Sequence, residues 1–600
     1  MPHTTPPPTP GTRRRFALLL ALVLLPATTT GQPAAHDTAA LRTAMTALIR
    51  EQMDAHDTVG LSIALIDDQK LAWAEGFGHA DRERNLPARA DTLYSVGGIT
   101  QLFTAAATLQ LADQGAIRLD DPVRKYLPEF SMRSRFANAP PITARHLLSH
   151  HAGLPAMHFR DMWTPKPEPL AGFIARLKDE YVAFPPGQVF VPSFPGYDVL
   201  GRMIEVQCGQ PYANCVQSKL LAPLAMRGST FDFARVAPAR RAMHYWKEKP
   251  IPSQTVRDVP AAGLTSSVEE LGNFVCMLFA DGRFDGHQVL SAGAVREMLR
   301  AQNTNVALDL DNRIAMPWRL NGVHFPQART AAWLNNESPF SRGRVLLVPE
   351  HKLGVIVLTN SSRSSEAVEK ISERLMELAL EGRTPRPAAH AHDTALIPTP
   401  KRATRADIEG HYASVVGLIS VRAHGEHYRA NMLGKTLEVL PDANGLLAPE
   451  YRFLGLIPIP ISVLREVRIT PAEIAGRKLA VAYYRDHAYR LGEKITPQPL
   501  PAAWRNRLGE YRIVERDPLL DLIDLRNAQL TYTEGLLYFR YRVPGWLGMV
   551  AKIPVRPVSD TELVVEGTGW LMGETVQVVR REGREVLRYS GYEFGRVALR

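Results

Sequence analysis

The chain changes texture near residue 383, and that change limits its architecture more than any other feature of its 600 residues. Before it, helical and strand periodicities alternate. Leu41, Met45, Leu48 and Ile49 recur at the spacing of one helix face. Residues 61–78 read as two strands turned at Asp67-Asp68-Gln69-Lys70. Residues 99–114 read as a second helix, burying Leu102, Phe103, Ala106 and Leu109 and stopped by Gly115. Strands over 344–349 and 353–360 meet at Glu350-His351-Lys352, and a helix over 366–381 follows. Residues 383–403 hold Pro385, Pro387, Pro398 and Pro400 without periodicity and read as a linker. From Arg405 onward, short alternating apolar runs are broken by Gly, Asp and Asn, the pattern of an all-β region. Gly410-His411-Tyr412 and Gly509-Glu510-Tyr511, 99 residues apart, each open such a run, which predicts one β module over 404–500 and a second over 501–600.

The first residues read as an address. Arg13, Arg14 and Arg15 precede ten apolar residues, 16–25, then Pro26 and a small or polar stretch to about Ala35. A basic start, a short apolar core and a small-residue zone predict a secretory signal peptide over residues 1–35, and the arginines also suit a twin-arginine route. Ten apolar residues fall short of the roughly 20 that a spanning helix needs. The mature chain is therefore expected in the periplasm or outside the cell, with no membrane span after signal removal. The later apolar stretch 453–464 is broken by Pro458 and Pro460.

Composition removes other classes. The net charge of +10 falls to +7 without Arg13, Arg14 and Arg15, and no basic run is interleaved with aromatics, so no nucleic-acid partner is expected. Three cysteines cannot make a disulfide framework, so stability must come from hydrophobic cores. Cys208 and Cys215 fall on what should be successive helices; export permits a bond between them and the sequence leaves it open. Cys276, in an apolar segment, reads as a core residue. Gly-x-Ser-x-Gly, Gly-x-x-x-x-Gly-Lys-Ser/Thr and His-Glu-x-x-His do not occur, and Gly76-Phe77-Gly78 lacks the third glycine of a dinucleotide loop. Neither cofactor nor metal is implied, and the oligomeric state is not legible.

Several blocks before residue 382 are informative together. They are Gly60-Leu61-Ser62-Ile63-Ala64, Gly76-Phe77-Gly78-His79-Ala80-Asp81, Leu119-Asp120-Asp121-Pro122-Val123, and Leu147-Leu148-Ser149-His150-His151-Ala152-Gly153-Leu154-Pro155. Gly196-Tyr197-Asp198-Val199-Leu200-Gly201 and Ala261-Ala262-Gly263-Leu264-Thr265-Ser266-Ser267 continue the series. In this order and spacing they resemble the serine β-lactamase and penicillin-binding-protein superfamily, in its class C β-lactamase, esterase and D-alanyl-D-alanine peptidase-like branch. The resemblance implies an α+β fold. Residues 38–382 would form a β-lactamase/transpeptidase-like domain, an antiparallel sheet flanked by helices with a helical subdomain, and C-terminal all-β barrel-like modules would follow.

The resemblance also implies an acylating serine in a Ser-x-x-Lys motif at the start of a buried helix, where residues three apart share a face and the amine reaches the hydroxyl. A Tyr-x-Asn loop adds a second proton-transfer group, and Lys-Thr-Gly or His-x-Gly on an edge strand completes the pocket. Here those groups are replaced. Gly98 stands at the nucleophile and Gln101 at the lysine, Pro192 at the tyrosine and Phe194 at the asparagine, and Leu334 at the head of the third motif. No Lys, His or Gly lies between Ala331 and Ser341. Glycine offers no nucleophile, and a glutamine amide does not titrate near pH 7. Gly98, Gln101, Ser193, Phe194, Asn335 and Asn336 are expected to line what remains as a ligand cleft.

Three functions fit this reading. The first is an inactive exported homologue whose cleft holds a peptide, a peptidoglycan fragment or a small amide or ester. The second is an active hydrolase with a relocated nucleophile, Ser95 or Ser193, although no Lys or His stands within four residues of Ser95. The third gives the work to the β modules, as binders of envelope glycan or protein. His146, His150 and His151 suggest a base or metal cluster, but their block reads as a helix end and turn in which Ser149 and His150 satisfy backbone groups. Tyr197 and Asp198 read as structural parts of a helix start.

Overall fold

A computed structural model describes residues 38–164, 166–246, 248–252, 255–384, 398–453, 457–459, 466–484, 487–515, 527–542 and 550–597. The expected signal segment and residues 385–397 of the expected linker lie outside them.

Strand alternation organises the first domain. Among the described residues a six-stranded antiparallel sheet is formed by β1 (Gly60–Asp67), β2 (Lys70–Asp81), β3 (Leu86–Pro87), β4 (Ala332–Asn336), β5 (Arg342–Val348) and β6 (Leu353–Thr359). Their order is β4-β5-β6-β1-β2-β3, so segments nearly 300 residues apart are neighbours, with Ile63 opposite Val357. The helices that bear on the site are α1 (Thr38–Ala55), α2 (Thr100–Asp113), α3 (Ala144–Leu148), α4 (Phe194–Cys208), α5 (Val268–Phe279) and α6 (Ser365–Leu380). Successive side chains of β1 point to opposite faces. Leu61, Ile63 and Leu65 therefore meet α1 and α6 through Met45, Ile49, Ile371 and Leu375, while Ala64 and Ile66 join the main core with Phe274 of α5. Each such Leu, Ile or Phe contributes about 1.5–3 kcal/mol by leaving water.

The sequence suggests one buried side for α2. Instead every residue from Thr100 to Leu109 is buried, because α4 covers one flank and the short helices Val259–Ala262 and Ala292–Leu299 cover others. Cys208, at the end of α4, is bonded to Cys215 across a Cα separation of 6.3 Å, which settles the pairing that spacing left open. Gly209 between them takes φ +68°, the left-handed turn that ends the helix and brings the chain back. Cys276 is buried and free.

The C-terminal region forms two β-barrels. In the first, eight strands between Gly410 and Ile495 close through pairing of Lys435–Pro441 with Leu447–Phe453 among the described residues. In the second, eight strands from Gly509–Ile513 to Tyr592–Arg596 close completely. The paired Gly-x-Tyr segments occupy matching places. Gly410 takes φ +138° and Gly509 φ +137°, open only to glycine, and each tyrosine hydroxyl reaches four residues back, Tyr412 to the Ile408 carbonyl (2.8 Å) and Tyr511 to that of Arg507 (2.7 Å).

Both barrels rest on the first domain. One core contains Phe184, Val189 and Leu310 of the first domain, Val481 of the first barrel, and Leu537 and Leu563 of the second. His487 of the first barrel bonds Asp311 (2.8 Å). In the second barrel, Glu562 receives Arg135 (2.9 Å) and the Tyr181 hydroxyl (2.8 Å), and Glu574 receives the Ala156 N–H (2.9 Å).

Candidate active site

The residues read from the sequence converge where α2 begins beside the edge strand β4. A 3-10 turn, Gly97–Ile99, leads into α2. Gly97 takes φ +45°, and a Cβ there would lie 2.0 Å from Asn336 Oδ1, so backbone sign and space both demand glycine. Gly98 is half-buried, and a Cβ built on it would meet only the Asn335 carbonyl, at 3.2 Å. The floor of the cleft could hold a side chain at Gly98 with a small adjustment.

Gln101, buried in the first turn of α2, is tied to His150, which sequence reasoning placed in a structural turn and did not connect to it. His150 Nδ1 accepts the Ser193 backbone N–H (3.1 Å). The imidazole proton therefore sits on Nε2, which donates to Gln101 Oε1 at 3.0 Å. Burial, with His151 and Arg319 adding to it, pushes the His150 pKa down to about 3. A neutral ring whose one lone pair already holds an amide is a poor proton acceptor. His150 has φ +60°, the only local signal that the His150-His151 pair is bent for a purpose.

Ser193 is not a cleft hydroxyl. It caps α4: its Oγ donates to the Pro155 carbonyl (2.6 Å) and accepts the Gly196 N–H (3.1 Å), and the residue is buried. Phe194, first residue of α4, is half-buried against the main core, and Pro192 precedes it half-buried. On β4, Leu334 packs on the main core beside the 3-10 turn. Asn335 turns its amide toward Glu369 of α6 (3.4 Å), and Asn336 bonds Ser341 (2.9 Å) and the Ser95 carbonyl (3.4 Å). Asn336 is thus occupied by the scaffold, while the buried Oδ1 of Asn335 has no hydrogen-bond partner among the described residues. Ser95 is half-buried, and among the described residues its hydroxyl bonds to no side chain that could take its proton. His151 pairs with buried Asp309 (2.7 Å), so the three histidines do not share a site.

A family model described as beta-lactamase matches residues 45–380, more than half of the chain. The chain belongs to the β-lactamase family. The likeness extends to Protein flp of Staphylococcus aureus, 27% identical over 334 residues that cover 55% of this chain and 64% of that protein. Esterase EstB of Burkholderia gladioli is 30% identical over 228 residues, covering 36% and 57%. The chain thus spans less than two thirds of these curated relatives. An octameric penicillin-binding protein homologue from Pyrococcus abyssi shares the fold, with TM-score 0.51 and 23% identity over 75% of this chain and 98% of that one.

Behind the cleft lies a second, charged cluster. Arg257, Asp258 and Asp198 are all buried, with Arg257 Nε on Asp258 Oδ1 at 2.6 Å. Burial and the neighbouring Asp258 charge raise Asp198 well above the usual carboxylate range. Arg257 also holds the His158 and Arg160 carbonyls (2.8 and 2.6 Å) and lies 4.0 Å from the Phe173 ring centre. These residues support the loop against which the second barrel docks.

Proposed function

We propose that this chain is an exported, catalytically inactive member of the family, working in the periplasm or outside the cell, whose cleft binds a peptide, a cell-wall fragment or a small amide or ester. The observation that carries this reading is Gly98 at the start of a buried helix, three residues before an amide that is itself bound to a neutral histidine. In a serine hydrolase, loss of nucleophile and base together removes roughly six orders of magnitude in turnover. The esterase among the relatives supports the ester as one ligand class, and the N-terminal address supports export.

The competing reading, a relocated nucleophile, predicts covalent chemistry. Intact-mass measurement after exposure to a fluorophosphonate or a fluorescent penicillin is expected to show no adduct. An adduct that disappears in Ser95→Ala or Ser193→Ala would overturn the inert reading. Gly98→Ser with Gln101→Lys is expected to remain silent in an ester-hydrolysis assay, since Pro192, Phe194 and Leu334 still withhold the other groups; a gain would show that two side chains were all that was missing. The third reading, envelope binding by the barrels, predicts that residues 405–600 retain a partner held by the whole chain. Their shared core with the first domain favours a supporting role instead.

A further inference from the structure

The second barrel reaches the cleft wall from behind. Its turn at Ser590 grips the loop that follows α3: the Ser590 hydroxyl accepts the Phe159 N–H (3.0 Å) and donates to the Met157 carbonyl (3.1 Å). The approach is close enough that a Cβ on Gly591 would lie 2.2 Å from His158 Cε1. Glu574 enters the same loop from the barrel, 3% exposed, and accepts the Ala156 N–H at 2.9 Å.

From Ala156 the hydrogen bonds run on to the cleft floor. The Ala156 carbonyl accepts the Phe194 N–H (3.0 Å), and the neighbouring Pro155 carbonyl accepts the Ser193 hydroxyl (2.6 Å). The Ser193 N–H is held by His150 Nδ1 (3.1 Å), and His150 Nε2–H is held by Gln101 Oε1 (3.0 Å). Five segments distant in sequence are thus joined, with a carboxyl of the barrel at one end and a floor residue at the other. Removing an acceptor from a buried chain of this kind leaves a donor without water or partner, so displacement at one end is passed along.

Among the described residues no cation pairs with Glu574. The titratable groups around it are Tyr589 of its own barrel, whose hydroxyl bonds it, and His158, Glu180 and Tyr181 of the first domain. Burial, with Arg257 adding to it, pushes His158 down to about 3, so it is neutral. Tyr181 gives its hydroxyl to Glu562 (2.8 Å), and Arg588, the cation with most influence on Glu180, bonds Gln577 (2.6 Å). An ionised Glu574 is therefore a buried carboxylate without a counter-ion, which either takes a proton or moves to water.

We propose that Glu574 is a positioning residue for the cleft: its protonated form keeps the second barrel seated on the loop at Ala156, and its ionisation releases that loop and the wall at Ser193 and Phe194. The proposal goes beyond the reading of the cleft above and holds for an inert or a reactive one. Burial raises the carboxyl from 4.5 to about 7, so the seated state is favoured most below pH 4.5 and loses that advantage as pH rises through 7.

The test is hydrogen exchange of the full chain, read by mass spectrometry on the peptides that carry Ala156, Ser193 and Phe194 and corrected for the intrinsic rate at each pH. Protection at all three is expected to fall about tenfold between pH 6 and pH 8.5, the factor that linkage gives for this carboxyl, while Ile63 and Val357 in the sheet keep theirs. Glu574→Gln keeps the acceptor and cannot ionise, so its protection is expected to stay level across the same range. Protection in the wild type that does not change with pH, an equal fall in Glu574→Gln, or a fall at Ala156 that does not reach Ser193 and Phe194 would each overturn the proposal. A fall that includes the sheet to the same degree would overturn it too, since Glu574 would then act on global stability alone. Should Glu574→Gln fail to fold, the wild-type profile across the five sites decides.

Discussion

The cleft floor and the seam beneath the second barrel make opposite use of polar chemistry. At the floor, the positions expected to titrate hold Gly98 and Gln101, and the nearest histidine is held neutral. At the seam, Arg257, Asp258, Asp198, His158 and Glu574 are all buried and all ionisable. A perturbed acid in a cleft would suggest catalysis. Here Glu574 instead holds backbone: it takes the Ala156 N–H, and the Ala156 carbonyl takes the Phe194 N–H (3.0 Å). The comparison teaches that buried ionisable groups in this molecule hold the loop beneath the second barrel, while the floor at Gly98 and Gln101 carries no ionisable side chain of its own.

The largest expected effect tests the seam. Arg257→Met leaves Asp258 buried without its cation and is expected to cost about 3–5 kcal/mol in urea unfolding. A cost below about 1 kcal/mol would mean that the cluster is not charge-held, and the contrast with the floor would collapse. Next comes the floor itself. Gly97→Ala forces a methyl against Asn336 at positive φ and is expected to cost about 2–3 kcal/mol, with the far barrels unaffected.

The third prediction concerns pH. Burial raises the Glu574 carboxyl from its ordinary 4.5 to about 7. The folded protein then keeps a proton that the unfolded chain releases, so this stabilisation is full below pH 4.5 and is lost as pH rises through 7. The loss is at most about 3 kcal/mol, from 1.36 kcal/mol per pKa unit. Unfolding midpoints from pH 4.5 to 8 are expected to fall in the wild type and to flatten in Glu574→Gln; parallel curves would remove Glu574 from the account. The smallest effect is Ser193→Ala, which removes one cap and is expected to cost about 1 kcal/mol, with ligand binding retained. Loss of binding without loss of stability would return Ser193 to the cleft.

Much of the scaffold was legible in one dimension. The strands over 61–66, 344–349 and 353–360 read as strands because short apolar runs bounded by turn residues suit a strand buried on both faces, and the Gly-x-Tyr recurrence marked the start of each barrel because φ near +138° admits only glycine. The floor was legible as an absence, since Gly98 and Gln101 are visible in the chain itself. What escaped was pairing across distance. His150 with Gln101, Arg319 over Phe190 and Trp333, and the turn of Asn335 toward Glu369 join residues from separate elements, and no local period encodes such contacts.

By itself, then, the order of residues determined which elements form and where an all-β region begins, because periodicity and glycine stereochemistry are local properties. Only the tertiary structure decided that Cys208 meets Cys215, that Ser193 is spent on a helix cap, and that both barrels share a core with the first domain. Those outcomes depend on which surfaces burial brings together, and burial is settled by the packing of the whole chain.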